Sequence, residues 1–264
     1  ICYILNYIKF KKMKSKFLLI LFVSLFLQQT NAQKKYVLIA GIADYLYDIP
    51  DLRYSDDDAY RFYAYMKSTK GGSVPDENIA ILVDEAATRE NILRTMNKIF
   101  SKAGPNDMLI FYFSGHGGEG FFCPYETSQN PASLLLHEDI KKVFKRNPAK
   151  YKIVFGDACH AGSIFEGTSH TQSGGTGIKT NVVIMMSSKY SETSQENPKL
   201  RQGTFSYYLL RGLQGKADRN NDKYITLQEL FPYIKANVLN FTNNRQTPFI
   251  EGKASTNMII GRLK

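Results

Sequence analysis

The chain has 264 residues, of which 43% are hydrophobic and 22% are charged, with 19 glycines and 9 prolines. This composition excludes disordered, collagen-like and multi-pass membrane proteins, and the length is sufficient for one sizeable hydrophobic core. The formal net charge of +10 indicates a nucleic-acid or membrane-surface partner only if the basic side chains belong to the folded part.

The basic excess is concentrated at the N-terminus. Residues 1–32 hold 5 of the 34 basic side chains and none of the 24 acidic ones, which leaves 29 basic against 24 acidic in the rest. The rest has no run of five or more like charges. Such a small excess is typical of a solvated surface, so no nucleic-acid partner is predicted.

The N-terminal segment has the pattern of a secretory signal peptide. A basic stretch that ends at Lys16 precedes the apolar residues 17–27, and small residues precede a cleavage site after Ala32. An apolar run of this length is too short for a bilayer, which needs about 20 residues. We therefore expect a start at Met13 with residues 1–12 upstream of it, and export of residues 33–264 to the periplasm or beyond the cell. An uncleaved anchor is the alternative.

Strands and helices are predicted to alternate along residues 33–264, which are expected to form a single domain. Apolar runs rich in β-branched and aromatic residues predict five buried strands. Apolar residues at helical spacing predict helices between these strands and after the last of them. The strands are Tyr36–Gly41, Ile79–Val83, Met108–Phe113, Tyr151–Phe155 and Val182–Ser187, and the helices are Asp56–Ser68, Thr88–Lys102, Glu138–Arg146, Phe205–Gln214 and Thr226–Asn240.

This alternation predicts a three-layer α/β/α sandwich around a mostly parallel sheet of about six strands. Thr88 is the expected N-cap of its helix, and a short last strand is expected near Met258–Ile260. Ligands of such sheets bind outside the carboxyl ends of the strands. That rule selects the glycine-rich loops that follow the third and fourth strands.

These two loops carry a histidine and a cysteine. His116 stands in the sequence SGHG after the third strand, and Cys159 stands in GDACHAGS after the fourth. If the two strands are neighbours, about 4.8 Å apart, both side chains can face one site. An imidazolium beside a thiol stabilises the thiolate, which is the reactive form in nucleophilic catalysis. Either residue alone is more often structural, as we predict for Cys123, which is expected in the core.

The pair predicts amide hydrolysis without a cofactor. Cys159 would attack the carbonyl carbon, His116 would protonate the departing amine, and the backbone N–H groups of Gly117 and Cys159 would hold the oxyanion. No residue that orients His116 can be named from the sequence. If the protein is exported, Cys123 and Cys159 either form a disulfide or leave at least one thiol for chemistry.

The motifs SGHG and DACHAGS together resemble the caspase-like cysteine peptidases, specifically the bacterial metacaspase type. The resemblance extends over residues 36–45, 52–62, 203–218 and 245–252. It implies the caspase-type sheet and a catalytic dyad of His116 and Cys159. It also implies a primary specificity pocket formed by Asp157, Ser114 and Asp58, with Asp57 as a competing register for the last.

A carboxylate at the base of a pocket attracts a basic side chain, so the expected substrate is a peptide or protein cut after Arg or Lys. Two alternatives remain at this stage: the same dyad with a preference for Asp or Asn, and a catalytically idle caspase-like binding domain. Residues 168–177 resemble the self-processing linker of the family, and Lys179 is a candidate cleavage site at its end. We expect a monomer.

One segment has the spacing of a calcium-binding EF-hand loop. Its candidate ligands are Asp218, Asn220, Asp222, Tyr224, Thr226 and Glu229. Lys223 stands where the loop requires glycine, and the loop is single. A turn followed by a capping box of Thr226 and Glu229 explains the same residues without calcium.

Overall fold

The structure is a computed structural model that describes residues 33–263 apart from 48, 119, 159–180, 190–191, 193 and 253–257. The predicted signal peptide with Met13 and Ala32, the predicted nucleophile Cys159 and the self-cleavage candidate Lys179 lie outside the described residues. The folded unit comprises Lys34–Lys264. Within its described part, no helix is both long enough and apolar enough to cross a membrane.

The described chain contains thirteen strands and five α-helices. The strands are β1 (Lys35–Gly41), β2 (Ile79–Val83), β3 (Met108–Ser114), β4 (Gly117–Gly118), β5 (Phe121–Phe122), β6 (Leu135–Leu136), β7 (Tyr151–Asp157), β8 (Asn181–Met186), β9 (Glu196–Asn197), β10 (Gln202–Gly203), β11 (Tyr224–Thr226), β12 (Phe249–Glu251) and β13 (Ile259–Arg262). The helices are α1 (Ser55–Lys67), α2 (Arg89–Phe100), α3 (His137–Arg146), α4 (Thr204–Arg211) and α5 (Leu227–Phe241).

The main sheet has six strands in the order β12–β8–β7–β3–β1–β2. All neighbouring pairs are parallel except β12 with β8, so the predicted mostly parallel sheet is confirmed. The sixth strand, β12, does not come from the predicted run near Met258–Ile260. That run forms β13, which pairs with β11 in a separate two-stranded sheet. Strands of three or four residues are too short for a clear alternation of apolar and polar residues.

Helices cover both faces of the sheet, because the central strands are apolar on both sides. In β1, Leu38 and Ala40 pack in the core with α2 and α3, whereas Val37 and Ile39 pack in the core with α1, α4 and α5. The β1 side chains are buried almost completely, as the three-layer arrangement requires.

The helix ends follow local hydrogen bonds. The side chain of Thr88 accepts a hydrogen bond from the N–H of Asn91 and so caps α2, as predicted. The capping box of Thr226 and Glu229 at the start of α5 is also confirmed. The predicted helix to Gln214 is wrong at its end: α4 stops at Arg211, and a wider helical turn follows in which Gly215 has a φ of +123°, a conformation that favours glycine.

The pairing of β3 with β7 brings the two glycine-rich loops to the same edge. The strands run in parallel with Ser114 opposite Asp157. His116 comes two residues after Ser114, and Cys159 comes two residues after Asp157. The expectation that the third and fourth predicted strands are neighbours is therefore confirmed.

We expect Phe62→Ala to destabilise the fold by about 3–5 kcal/mol, because the substitution removes a fully buried ring and leaves a cavity. The ring stacks on Tyr112 at a centroid distance of 4.4 Å, which ties α1 to β3. Urea unfolding measures the change. Tyr60→Ala, on the exposed side of the same helix, is the control and should change stability by less than about 0.5 kcal/mol. Equal losses in both variants would contradict this packing.

Candidate active site

His116 stands at the edge of the sheet, directly after β3. Its backbone N–H donates to the Tyr45 hydroxyl at 2.7 Å, and the rings of Tyr45 and His116 lie 5.2 Å apart. A Cβ on Gly115 would lie 2.8 Å from the same hydroxyl, so the chain can pass Tyr45 this closely only with glycine there. Tyr45, which the sequence analysis missed, therefore fixes the backbone that carries His116.

A backbone carbonyl orients the imidazole ring. Nε2 of His116 lies 2.7 Å from the carbonyl oxygen of Pro50. Because a carbonyl oxygen only accepts, Nε2 carries the proton of this bond, and Nδ1 is left for proton exchange with another group. No sequence pattern could single out Pro50, since the interaction uses its main chain and not its side chain.

The chain is described as far as Ala158, one residue before Cys159. Ala158 is buried, and its N–H and carbonyl group both bond to the hydroxyl of Ser187 at the end of β8, at 3.1 and 2.9 Å. On the other strand, the N–H of Gly115 donates to the carbonyl of Asp157 at 3.1 Å. The approach to Cys159 is therefore fixed on both sides of β7.

Gly117, the predicted oxyanion donor, lies in the short strand β4 and pairs with Phe122 of β5. Its partner in that role, Cys159, lies outside the described residues. Cys123 is 93% buried and packs in the core on the α2 and α3 side, as predicted.

Two buried carboxylates line a pocket beside His116. Asp58 and Asp157 are 0% and 5% exposed, and both face a cavity of about 30 Å³ that also includes His116 and Ser114. Asp58 belongs to the first turns of α1, and Asp157 ends β7. Three residues assigned to the specificity pocket from the resemblance thus lie together next to the predicted catalytic histidine.

Asp57 does not share this pocket. Its side chain is 44% exposed and forms an ion pair with Arg61 one turn along α1, at 3.4 Å. Asp57 therefore lies outside the pocket lining, because successive helical positions point about 100° apart and Asp58 is the one that faces inward.

Hydrogen-bond donors hold each carboxylate in place. Asp58 accepts from the Gln202 side chain at 3.1 Å and from the N–H of Gly203 at 2.8 Å. Asp157 accepts from the hydroxyl and N–H of Ser206 at 2.7 and 3.0 Å, and also from the hydroxyl of Ser194. These donors are neutral groups from β10, α4 and the preceding loop, which the sequence analysis did not identify.

Gly203 separates the two carboxylates. A Cβ at this position would lie 2.3 Å from Asp157 Oδ2 and 2.9 Å from Asp58 Oδ2, so even alanine would collide with both. The two acids therefore approach the same point from two sides. A glycine is required because both oxygens occupy the space of a side chain.

The pocket disfavours two negative charges at once. Burial raises the pKa of Asp58 well above its ordinary value, and the nearby charge of Asp157 raises it further. Burial also raises the pKa of Asp157, against which the hydrogen bonds from Ser194 and Ser206 act. A cation entering the pocket would remove this penalty, since it supplies the missing positive charge.

Glu196 forms another part of the pocket wall. Its carboxylate accepts hydrogen bonds from the N–H groups of Arg53 and Tyr54, at 2.8 to 3.1 Å. It thereby connects β9 to the residues directly before α1. The bonds hold the start of α1, and with it Asp58, against the β9 segment.

The acidic side chains of the EF-hand-like loop accept hydrogen bonds from neighbouring groups of the loop and of the start of α5. Asp222 accepts from the N–H of Tyr224, and both carboxylate oxygens of Glu229 accept from groups of Arg219 and Thr226. Asn220 bonds to Asp222, and Asp218 accepts from the N–H of Lys223. Among the described residues, no three acidic, histidine or cysteine side chains converge as metal ligands. These hydrogen bonds match the turn and the capping box, and calcium at this loop stays a prediction.

Comparisons with known proteins agree with this geometry. A sequence model of the caspase domain matches residues 34–259. A solved structure of a protein from Geobacter sulfurreducens has a TM-score of 0.60 with this chain, covering 84% of it and 94% of the other chain, at 16% identity. At that identity the likeness concerns the fold alone.

Curated relatives are metacaspases. Metacaspase-1A of Neurospora crassa is 26% identical over 154 residues, which cover 50% of this chain and 33% of the relative. Metacaspase-2 of Trypanosoma brucei brucei is 32% identical over 114 residues, covering 35% of this chain and 33% of the relative. The matches thus span about a third of each relative's length. With the caspase-domain match over most of its length, the chain belongs to the caspase-domain family of cysteine peptidases, and its relatives are of the metacaspase type.

Proposed function

We propose that this caspase-domain protein is an exported cysteine endopeptidase that cleaves peptide bonds after Arg or Lys. The observation that carries the proposal is the pair of buried carboxylates, Asp58 and Asp157, in one pocket with His116. A basic side chain would neutralise the pair, whereas an Asp side chain would add a third negative charge. The pocket therefore favours basic residues over the alternative preference for Asp, and export is supported by the signal-peptide pattern of residues 1–32.

The reaction uses Cys159 and His116. The Cys159 thiol first gives its proton to Nδ1 of His116. The resulting thiolate attacks the carbonyl carbon, and the N–H groups of Gly117 and Cys159 stabilise the oxyanion. Nδ1 of His116 then gives its proton to the departing amine, so the C–N bond breaks and an acyl-enzyme remains. Water hydrolyses this thioester, and His116 accepts the proton of the attacking water.

The Pro50 carbonyl supports both protonation states of His116. It accepts the Nε2 proton in neutral imidazole and in imidazolium, so the ring need not turn during the cycle. The same bond fixes which nitrogen exchanges the proton. Lys179, which follows the linker-like residues, would itself fit an acidic pocket and is proposed as a self-cleavage site.

We expect Cys159→Ala to reduce kcat for peptidyl-arginine amides by a factor of about 10⁴ or more, because the nucleophile is lost. His116→Ala should show a comparable loss. Initial-rate kinetics with the full chain measure both. Cys123→Ala is the matched control. The cysteine side chain lies in the core, and alanine keeps the main-chain N–H that donates to the carbonyl of His116, so the substitution should leave kcat within a few-fold. Unchanged activity in Cys159→Ala would instead support the idle binding domain.

We expect Asp157→Asn to lower kcat/KM for a peptidyl-arginine substrate by about 100-fold, because the buried partner of the guanidinium loses its charge. The citrulline analogue, which is neutral but similar in shape, should be affected far less. The measured quantity is kcat/KM for the arginine substrate divided by kcat/KM for the citrulline analogue. Asp57→Asn removes an exposed carboxylate next to the pocket and should leave the ratio unchanged. A ratio unaffected by Asp157→Asn would refute the pocket assignment.

In the native protein, we expect the arginine-to-citrulline ratio of kcat/KM to rise with pH. The rise should occur at pH values above the ordinary carboxyl pKa of about 4. Folding raises the pKa values of Asp58 and Asp157, so their charged forms appear only at higher pH, and the charged forms bind arginine. Because His116 and Cys159 act on both substrates alike, the ratio isolates the pocket. A ratio that stays flat from pH 4.5 to 8 would contradict the expected change in the charge of the pocket over this range.

A further inference from the structure

A second, positively charged groove lies between α1 and α4. It has a volume of about 940 Å³, and basic side chains are the only charged groups among its described lining residues. These are Arg61, Lys70, Arg211 and Lys216. Four cations are thus concentrated around one groove, whereas the small basic excess in the sequence suggested only a solvated surface.

The groove begins beside the specificity pocket. Gln202 lines the groove, and its side-chain amide donates to Asp58 Oδ1 at 3.1 Å. From there the groove follows α1 from Arg61 to Ser68, a length of about 11 Å at 1.5 Å per residue. An extended polypeptide of about four residues matches this length. A substrate chain held in the pocket could therefore continue into the groove.

Among the described residues, Arg61 is the only groove cation with an acidic partner. Arg211 donates to the Tyr207 hydroxyl at 2.7 Å, and Lys70 donates to the carbonyl of Gln214 at 3.1 Å; both acceptors are uncharged. Arg61 has an ion pair with Asp57, but both side chains are more than 40% exposed, and such pairs contribute little. The groove thus retains positive charge for an incoming anion.

We propose that this groove binds an acidic segment of a polypeptide substrate. Carboxylates match the fork of donors on the guanidinium groups, and the lysines add positive charge without a fixed geometry. Single-stranded nucleic acid fits less well, because it requires open aromatic faces for base stacking. Tyr65 is 4% exposed, and the Tyr207 ring contacts both Arg211 and Tyr208. Only the identity of the ligand as a substrate rests on the proposed peptidase function.

Binding of labelled peptides to full-length Cys159→Ala protein tests the groove without catalysis. The probe is a peptide with four consecutive glutamates and no basic residue, compared with its glutamine counterpart by fluorescence polarisation. We expect the glutamate peptide to bind about tenfold more tightly or better, with the preference decreasing as salt increases. A peptide without arginine leaves the pocket empty, so this result does not depend on the preference for basic residues.

Charge reversal locates the binding site. Lys70→Glu with Lys216→Glu should abolish the preference for glutamate. The control is Lys98→Glu with Lys145→Glu, which changes the net charge by the same amount on α2 and α3, on the opposite face of the sheet. The control should retain the preference for the glutamate peptide. If the first double variant fails to fold, Arg211→Gln, which should weaken binding of the glutamate peptide about threefold or more, replaces it.

Three results would overturn the proposal: equal binding of both peptides, equal loss in both double variants, or displacement of the glutamate peptide by a thymidylate oligomer of the same charge. The last would indicate general polyanion binding. If the native protein cleaves no peptide but the glutamate peptide still binds through the groove, the proposed function fails and the groove assignment stands.

Discussion

The parallel pairing of β3 with β7 is the constraint on which the rest of the site depends. Because Ser114 and Asp157 are register partners, both glycine-rich loops leave the sheet at the same level. A shift of one residue along this pair would exchange the two faces of each strand and turn Asp157 away from α1 and α4. The apolar side chains of both strands prevent such a shift, since each face is buried under helices. Core packing thus sets the position of the catalytic loops.

The buried carboxylates impose a second constraint on the surrounding chain. Each must be satisfied by donors, and those donors come from β10, α4 and the loop that contains Ser194. Gln246, which is fully buried, bonds to Ser194 and to the carbonyl of Ser187, so the same network extends to the segment before β12. Neutral donors hold the acids without cancelling their charge. The arrangement leaves two acids whose charged forms a bound cation would stabilise.

The sequence predicted the sheet and most helix boundaries, because strong apolar periodicity carries that information. The family resemblance of the two motifs also led to Ser114, Asp157 and Asp58, which the structure places together beside His116. The sequence could not decide between Asp57 and Asp58, since adjacent acids in a first helical turn look alike until the inward face of α1 is known. Pro50 and Tyr45 had no signal, because they act through a main-chain carbonyl and a long-range contact. The strand β12 was missed because three residues give no usable period.

The acidic side chains of the pocket lie on one side of Gln202, and the basic side chains of the groove lie on the other. The two sets differ in how deeply they are buried. Asp58 is withdrawn from water, so its interaction with a bound cation is weakly screened, whereas the groove cations are open to solvent and lose strength with salt. Arg61 lies close enough to Asp58 to lower its pKa slightly, yet burial and Asp157 dominate and the pKa stays raised. In our proposal, the pocket selects a basic side chain locally, and the groove acts over a longer range on the acidic residues around it. A substrate with both features would satisfy each charge in its own environment, and a uniformly basic chain would enter the pocket but be repelled by the groove.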